Sequence, residues 1–171
     1  MELNLDFFLK CKAVKEAMTP SPFTGTDLEQ WAGVSPPTKG LIAEKVLQEF
    51  LEVTNTEYEK RSDPGHDIII AGKKVECKFA TLNRDYGFIW NQIRPASDFT
   101  HVVFMALYPT LLECYWTTKE EALNCGHAQH SGDKNNSVMI VHEQERFPDV
   151  FKRFETAQFG LPSTPPWFSR Y

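Results

Sequence analysis

Two acidic residues and a lysine lie at a spacing that could support metal-assisted chemistry on one pair of strands. Asp67 precedes three isoleucines, Glu76 and Lys78 belong to an alternating segment, and the turn Ala71-Gly72 separates the two halves. Across a two-residue turn, Asp67 and Glu76 would face each other, with Lys78 two residues along on the same face. Like charges opposite one another destabilise a strand pair, so we expect a cation between the two carboxylates.

The register of this hairpin follows from counting outward from the turn. Three pairs are expected before the acidic pair: Ile70 with Lys73, Ile69 with Lys74, and Ile68 with Val75. Asp63 competes with Asp67 as the first acid, but it lies four residues further from the turn, so we favour Asp67. A plain salt-bridge ladder on a strand surface is the alternative explanation of the same charged residues.

The elements around the hairpin must position these side chains. An amphipathic helix is predicted over residues 41–53, because apolar residues recur there at helical spacing. Residues 54–60 are predicted as a first strand and residues 100–107 as a buried strand, since the latter are almost wholly apolar. A short helix is predicted over residues 87–94, ending before Pro95.

Further elements are predicted towards both ends of the chain. They are helices over residues 3–18, 27–32, 119–123 and 147–159, strands over residues 111–116 and 137–141, and polar loops over residues 81–86 and 125–136. Thr117 or Thr118 is the expected N-cap of the helix at residues 119–123. The order of elements predicts an α/β (α+β) fold with a central mixed β-sheet flanked by helices.

The composition is that of one globular domain spanning residues 1–171. The chain is 42% hydrophobic and 24% charged, which suits a single hydrophobic core. We expect that core at about residues 40–142, an N-terminal helix and arm at residues 1–39, and a C-terminal helix and tail at residues 146–171. The net charge of −5 argues against a general polyanion binder, so any nucleic-acid contact needs a local basic patch.

The cysteines and the N-terminus indicate a cytoplasmic protein. The four cysteines show no C-x-x-C spacing, which favours reduced, buried thiols. The first residues lack the pattern of a signal peptide, and no stretch approaches the roughly 18 apolar residues of a membrane span. Trp90, Phe104 and Trp116 are expected in the core rather than as stacking surfaces.

The order of helix, acidic strand pair and buried strand resembles the PD-(D/E)xK nuclease superfamily over residues 40–107. Asp67 matches the first acid of that family's motif, and Glu76-Cys77-Lys78 matches the second acid and the lysine. Glu44, in the helix before the motif, lies where some members supply a further acid. The literal Pro-Asp pair is absent, since Pro64 lies three residues before Asp67.

The resemblance implies a restriction-endonuclease-like core and Mg²⁺-dependent hydrolysis of phosphodiester bonds, with Mn²⁺ as a substitute. Asp67, Glu76 and the main-chain carbonyl of Cys77 would hold the ion, because Mg²⁺ prefers hard oxygen ligands. Lys78 would contact the attacking water or the scissile phosphate. Glu44 would hold a second metal or position a water.

Double-stranded DNA is the expected partner, bound by a homodimer that cuts both strands. Seven residues are candidates for nucleic-acid contacts: Asn83, Arg84, Gln92, Arg94, His130, Lys134 and Asn135. For Gln92 and Arg94 a surface helix end is an equal alternative, and the residues after His127 also suit an ordinary solvated loop. His127 and His130 do not meet a zinc pattern, because no further ligand has the right spacing.

The expected activity is therefore that of a type II restriction-type DNA endonuclease. A nuclease of repair, recombination or phage origin that acts on DNA structure is the near alternative. A non-catalytic DNA-binding or assembly module with the same fold is the alternative of another class. The presence of Asp67, Glu76 and Lys78 together argues against that last alternative.

Overall fold

The structure, a computed structural model, describes residues 21–53, 55–60, 65–84, 86–129, 137–142 and 152–153. Several predictions fall outside these ranges: the helix over residues 3–18, Asp63, and the loop residues His130, Lys134 and Asn135.

Nine strands and three helices make up the described part of the chain. The strands are β1 (Tyr58–Lys60), β2 (Ile68–Ile70), β3 (Lys73–Thr81), β4 (Phe88–Ile93), β5 (His101–Leu107), β6 (Leu112–Thr118), β7 (His127–Ala128), β8 (Val138–His142) and β9 (Lys152–Arg153). The helices are α1 (Glu29–Ala32), α2 (Pro36–Val53) and α3 (Lys119–Cys125).

The strands form two sheets, and the larger one is mixed. Its order is β1-β2-β3-β5-β6-β9, whereas β4, β8 and β7 make a second, three-stranded sheet. β3 and β5 run parallel, and the other neighbours in the larger sheet pair antiparallel. Parallel neighbours need a crossover connection, and β4 lies in the crossover between β3 and β5. The predicted α+β fold with a central mixed sheet is confirmed.

Two hydrophobic clusters lie on opposite faces of the larger sheet. Alternate residues of β5 point to opposite faces, so Val103 belongs to one cluster and Phe104 to the other. Helix α2 buries Leu47 and Phe50 in the cluster with Val103. The cluster with Phe104 contains Trp90 of β4 and the buried residue of α3. Trp90, Phe104 and Trp116 are all buried, as predicted.

The ends of the two longer helices follow local chemistry. Helix α2 begins at Pro36, earlier than predicted, because proline suits the first helical turn. Thr118, not Thr117, caps α3: its hydroxyl accepts from the Glu121 N–H, and the Glu121 carboxylate accepts from the Thr118 N–H. Within the described residues, no helix is both long and apolar enough to span a membrane.

The prediction of a short helix over residues 87–94 is wrong. The segment is strand β4, which pairs antiparallel with β8 and sets Trp90 opposite Ile140. Phe88 and Trp90 are buried while Ile89 between them is half-buried, which is the alternation of a strand. The periodicity of a short apolar run does not separate a strand from a buried helix, and the partner strand lies far along the chain.

The terminal helix predicted over residues 147–159 is wrong where the structure describes it. Lys152 and Arg153 form β9, in register with Trp116 and Tyr115 of β6. Strand formation there depends on the neighbouring edge of β6, and strand preference is set by such context more than by local sequence. The rest of that predicted helix lies outside the described residues.

Candidate active site

The β2–β3 hairpin has the register that the turn predicted. Three pairs form between the strands: Ile70 with Lys73, Ile69 with Lys74, and Ile68 with Val75. Ala71 and Gly72 have φ angles of 48° and 73°. A two-residue hairpin turn of the primed type needs positive φ at both positions. The turn therefore fixes which side chains of β3 share a face.

Asp67 does not continue this ladder as a fourth pair. It lies in a bend before β2, and its N–H donates to the Val75 carbonyl at 2.9 Å. The Cys77 N–H donates to Asp67 Oδ2 at 2.8 Å. The expected strand pair between Asp67 and Glu76 is therefore not formed. Instead, the Asp67 carboxylate takes the hydrogen-bonding position along β3 that the next residue of β2 would occupy.

The Cys77 carbonyl faces the same edge of β3 as the Asp67 carboxylate. The Val75 carbonyl accepts on the β2 edge, and the Lys74 carbonyl accepts from Thr100 on the β5 edge. Successive residues of a strand direct their backbone groups to opposite edges. Cys77, two residues after Val75, therefore directs both its N–H and its C=O towards Asp67.

Glu76 and Lys78 form an ion pair on the β4 side of the larger sheet. They are in register with Val102 and Phe104 of β5, which belong to the cluster on that face. Lys78 Nζ donates to Glu76 Oε1 at 2.5 Å, and each side chain is 17% exposed. The two residues thus form a largely dehydrated ion pair beside the edge held by Asp67.

The protein environment holds the proton on Glu76 more tightly than water would. Burial raises the pKa of Glu76 above its ordinary value; Lys78 lowers it, and the Asp67 carboxylate raises it again. Arg94 has a smaller lowering effect. A carboxyl group whose pKa is raised by burial and by a neighbouring carboxylate is typical of functional sites, because a bound cation would counteract both effects.

Glu44 lies on the opposite face, next to Asp67. It projects from α2, and with Asp67 and Cys77 it lines a gap too narrow to admit a water molecule. Burial raises the pKa of the Cys77 thiol well above its ordinary value, and the nearby Asp67 and Glu44 carboxylates add to the shift. The thiol is therefore neutral, so the backbone of Cys77 and not its sulfur is suited to bind a hard cation.

The donor set fits an oxygen-preferring divalent ion with few protein ligands. In the described ranges, no three His, Cys, Asp or Glu side chains come together as metal ligands. The set around β3 consists of two carboxylates, from Asp67 and Glu76, and the Cys77 carbonyl. Mg²⁺ is usually held by one or two carboxylates together with waters and substrate phosphates, so these residues fit it.

Two of the nucleic-acid candidates lie on a closed loop directly after β3. The Asn83 N–H donates to the Gly87 carbonyl at 2.6 Å, and the Gly87 N–H donates to the Asn83 carbonyl at 2.9 Å. Arg84 lies within this loop and is exposed. The loop follows the same strand that carries Lys78, so it is held near the candidate site.

Gln92 and Arg94 lie at a bulge and at the end of β4, not on a helix end. The register of β4 against β8 shifts between Trp90 and Ile93, and Gln92 has a φ of 58°. Its N–H donates to Gln129 Oε1 at 2.9 Å. A positive φ on a residue other than glycine is uncommon. Arg94, directly after β4, lies close enough to Glu76 to lower its pKa.

Sequence reasoning missed His66 and Lys39. His66 precedes Asp67, is 3% exposed, and neither of its ring nitrogens has a hydrogen-bond partner in the described structure. The sequence signal that could have identified His66 is its position directly before Asp67. Lys39 Nζ donates to Thr81 Oγ1 at 3.3 Å. No sequence pattern connects that pair, because it joins a helix to the end of a distant strand.

Comparison with solved structures gives a match to a bacterial homing endonuclease. The TM-score is 0.45 and the sequence identity 17%, over 68% of this chain and 83% of that chain. No family model matches the sequence, and no curated protein matches it significantly. At this TM-score and identity the match carries no argument for an activity.

Proposed function

We propose that the protein is a Mg²⁺-dependent DNA endonuclease of the restriction type, which hydrolyses phosphodiester bonds. The observation that carries the proposal is the hydrogen bond from the Cys77 N–H to the Asp67 carboxylate at 2.8 Å. It supports the proposal because it brings one carboxylate beside a main-chain carbonyl of β3, past the last pair that β3 makes with β2. The Glu76–Lys78 ion pair lies on the same short stretch of that strand.

Asp67, Glu76 and the Cys77 carbonyl are the residues that would hold the ion. A bound divalent cation supplies charge stabilisation to the phosphate and lowers the pKa of a coordinated water. Glu44 lines the same narrow gap as Asp67 on the α2 side. That gap admits no water molecule, so a second ion or a water held by Glu44 would have to lie outside it.

Lys78 is the residue that would act on the reacting groups. The Lys78 ammonium is largely shielded from water. In such a dehydrated environment a fixed cation stabilises negative charge more strongly than it does in bulk solvent. If Glu76 held the ion, it would release the Lys78 ammonium, which could then donate to the attacking water or to a phosphate oxygen. Arg94 adds a second positive charge on the Glu76 side.

Double-stranded DNA is the proposed substrate, cut by a homodimer with one site for each strand. A structure-specific nuclease of repair, recombination or phage origin is the near alternative, and a non-catalytic DNA-binding module is the alternative of another class. Discrete bands from a plasmid support the restriction type. Selective cleavage of branched, nicked or unpaired DNA supports the near alternative.

The decisive experiment is incubation of supercoiled and linear DNA with the protein in Mg²⁺ and in EDTA, alongside Lys78→Ala. We expect cleavage in Mg²⁺ alone and loss of cleavage by at least about 100-fold in Lys78→Ala, the usual scale for a group that stabilises transition-state charge. Lys45→Ala changes an exposed lysine of α2 and is the matched control. Cleavage in EDTA, or an unaltered rate in Lys78→Ala, contradicts the mechanism.

A further inference from the structure

A cavity of about 450 Å³ opens at the end of β3, beyond the Glu76–Lys78 pair. Its walls come from residues 21–23, the start of α2, the last residues of β3, the loop after β3, and β4. The volume is within the about 300–1,000 Å³ range of small-ligand sites. The residues proposed to hold the metal ion and to act on the phosphate do not line this cavity.

The charge of the cavity is opposite to that of the chain. Lys39 and Arg84 both line it, and none of the described residues that line it is acidic. The chain as a whole carries a net charge of −5. A local cationic cleft in an acidic protein attracts an anionic ligand, since low-dielectric walls focus the field of the charges.

Lys39 is the cation that the fold holds in place. Its amine donates to Thr81 Oγ1 at 3.3 Å, so it is fixed at the end of β3. Burial lowers the pKa of Lys39 below its ordinary value, which means that the ammonium has lost part of its hydration. A partly dehydrated ammonium interacts more strongly with an anion than a fully solvated one does.

Apolar and amide groups complete the cavity. Phe79 and Ile89 line it and are half-buried, and Asn83 and Asn91 line it and are exposed. Among the described residues, β2 pairs with β3 only as far as Val75, so the edge beyond it has no strand neighbour. An aromatic ring, side-chain amides and cations together match the base and the phosphate of one nucleotide.

The cavity adjoins the candidate active site along a single strand. A β-strand rises about 3.3 Å per residue, so Thr81 lies about 10 Å from Lys78 along β3. Stacked nucleotides rise about 3.4 Å each, so this distance spans a few nucleotides of one strand. A base inside the cavity cannot remain paired and stacked in a duplex.

We propose that this cavity binds one unstacked nucleotide of the DNA strand that is cut, with its phosphate at Lys39 and Arg84 and its base against Phe79. The proposal rests on the proposed nuclease function and specifies how the protein binds the strand that is cut. Extruding a nucleotide costs less where it is mismatched or unpaired. A duplex with one unpaired nucleotide near the cleaved bond should therefore bind more tightly than a fully paired duplex, from which the nucleotide has to be extruded.

The test compares binding of two fluorescein-labelled duplexes that differ only by one unpaired nucleotide. Fluorescence anisotropy is measured with the full chain in EDTA, so that no metal-dependent cleavage interferes. Because stacking of a base on an aromatic ring contributes about 1–3 kcal/mol, we expect about tenfold tighter binding of the duplex with the unpaired nucleotide. Lys39→Met and Arg84→Ala should each remove most of this preference.

Lys45→Met is the matched control, since Lys45 lies on α2 and is exposed outside the cavity. It should keep the full preference. Circular dichroism checks that each variant is folded. If Lys39→Met is unfolded, Arg84→Ala alone tests the proposal, because Arg84 is exposed. Equal binding of both duplexes, binding of neither, or a preference unchanged in Arg84→Ala overturns the proposal.

Cleavage separates this proposal from the proposed function. If the protein cuts DNA in Mg²⁺ but shows no preference that depends on Arg84, the nucleotide site is wrong and the nuclease function stands. If the preference depends on Arg84 but no cleavage occurs in Mg²⁺, the nucleotide site stands and the nuclease function is wrong.

Discussion

The Asp67 carboxylate accepts a hydrogen bond from the Cys77 backbone N–H at 2.8 Å. This bond joins the residue before β2 to the middle of β3, past the last pair of the hairpin. A side chain thereby completes the backbone bonding of β3 where β2 has ended. The same carboxylate adjoins Glu44 on one face and raises the pKa of Glu76 on the other.

Substitution of Asp67 should separate its structural role from its proposed catalytic role. Asp67→Asn keeps an oxygen acceptor for the Cys77 N–H, so unfolding in urea should change little. Asp67→Ala leaves that N–H without its partner and should cost about 1–3 kcal/mol. If the carboxylate holds the ion, the cleavage rate of both variants should fall by at least about 100-fold. Substitution of residues that only support metal ligands already lowers activity about 10–100-fold. Near-normal cleavage by Asp67→Asn would contradict the ligand assignment.

The raised pKa of Glu76 predicts a specific dependence of stability on pH. A carboxyl group whose pKa is higher in the folded state than in the unfolded state favours folding when protonated. This contribution is fully present below the ordinary value of 4.5, and it is lost as the pH rises through the folded pKa. The unfolding free energy of the protein, relative to Glu76→Gln, should therefore fall as the pH rises through this window. A relative stability that rises there would show that the folded pKa is lowered instead.

Mg²⁺ should raise the melting temperature if Asp67 and Glu76 bind it in the folded protein. A ligand that binds only the folded state stabilises it by about 2.7 kcal/mol at 100 times its dissociation constant. Glu76→Gln should lose this shift, whereas Glu59→Gln should retain it, because Glu59 is an exposed acid on β1. Differential scanning fluorimetry with and without Mg²⁺ measures both. Equal shifts in the two variants would place the ion elsewhere.

Trp90 should be among the most sensitive positions of the core. It is 1% exposed, and its indole N–H donates to the Met105 carbonyl at 3.1 Å. Trp90→Ala removes this bond and leaves a cavity, so we expect a loss of about 3–5 kcal/mol in the free energy of unfolding. Tyr86→Ala, at a position that is 58% exposed, should change stability by less than about 0.5 kcal/mol. Chemical denaturation compares the two, and similar losses would contradict the burial of β4.

The sequence by itself determined the features that depend on neighbouring residues in the chain. The turn Ala71-Gly72 and alternation of apolar residues fixed the β2–β3 register, because a two-residue hairpin allows few backbone geometries. The same local signals predicted an amphipathic helix within α2 and limited the cap of α3 to Thr117 or Thr118. They also placed Glu76 and Lys78 on one face of β3, since side chains alternate along a strand.

Only the tertiary structure decided the features that depend on distant partners. Residues 88–93 became a strand because β8 was available to pair with it, and Lys152–Arg153 did so beside β6. Asp67 turned to the Cys77 N–H because β2 ends at Ile68 and leaves that backbone group to be satisfied. The cavity beside Lys39 and Thr81 arises where α2, β3 and β4 meet. Such contacts join residues far apart in the chain, so no local spacing specifies them.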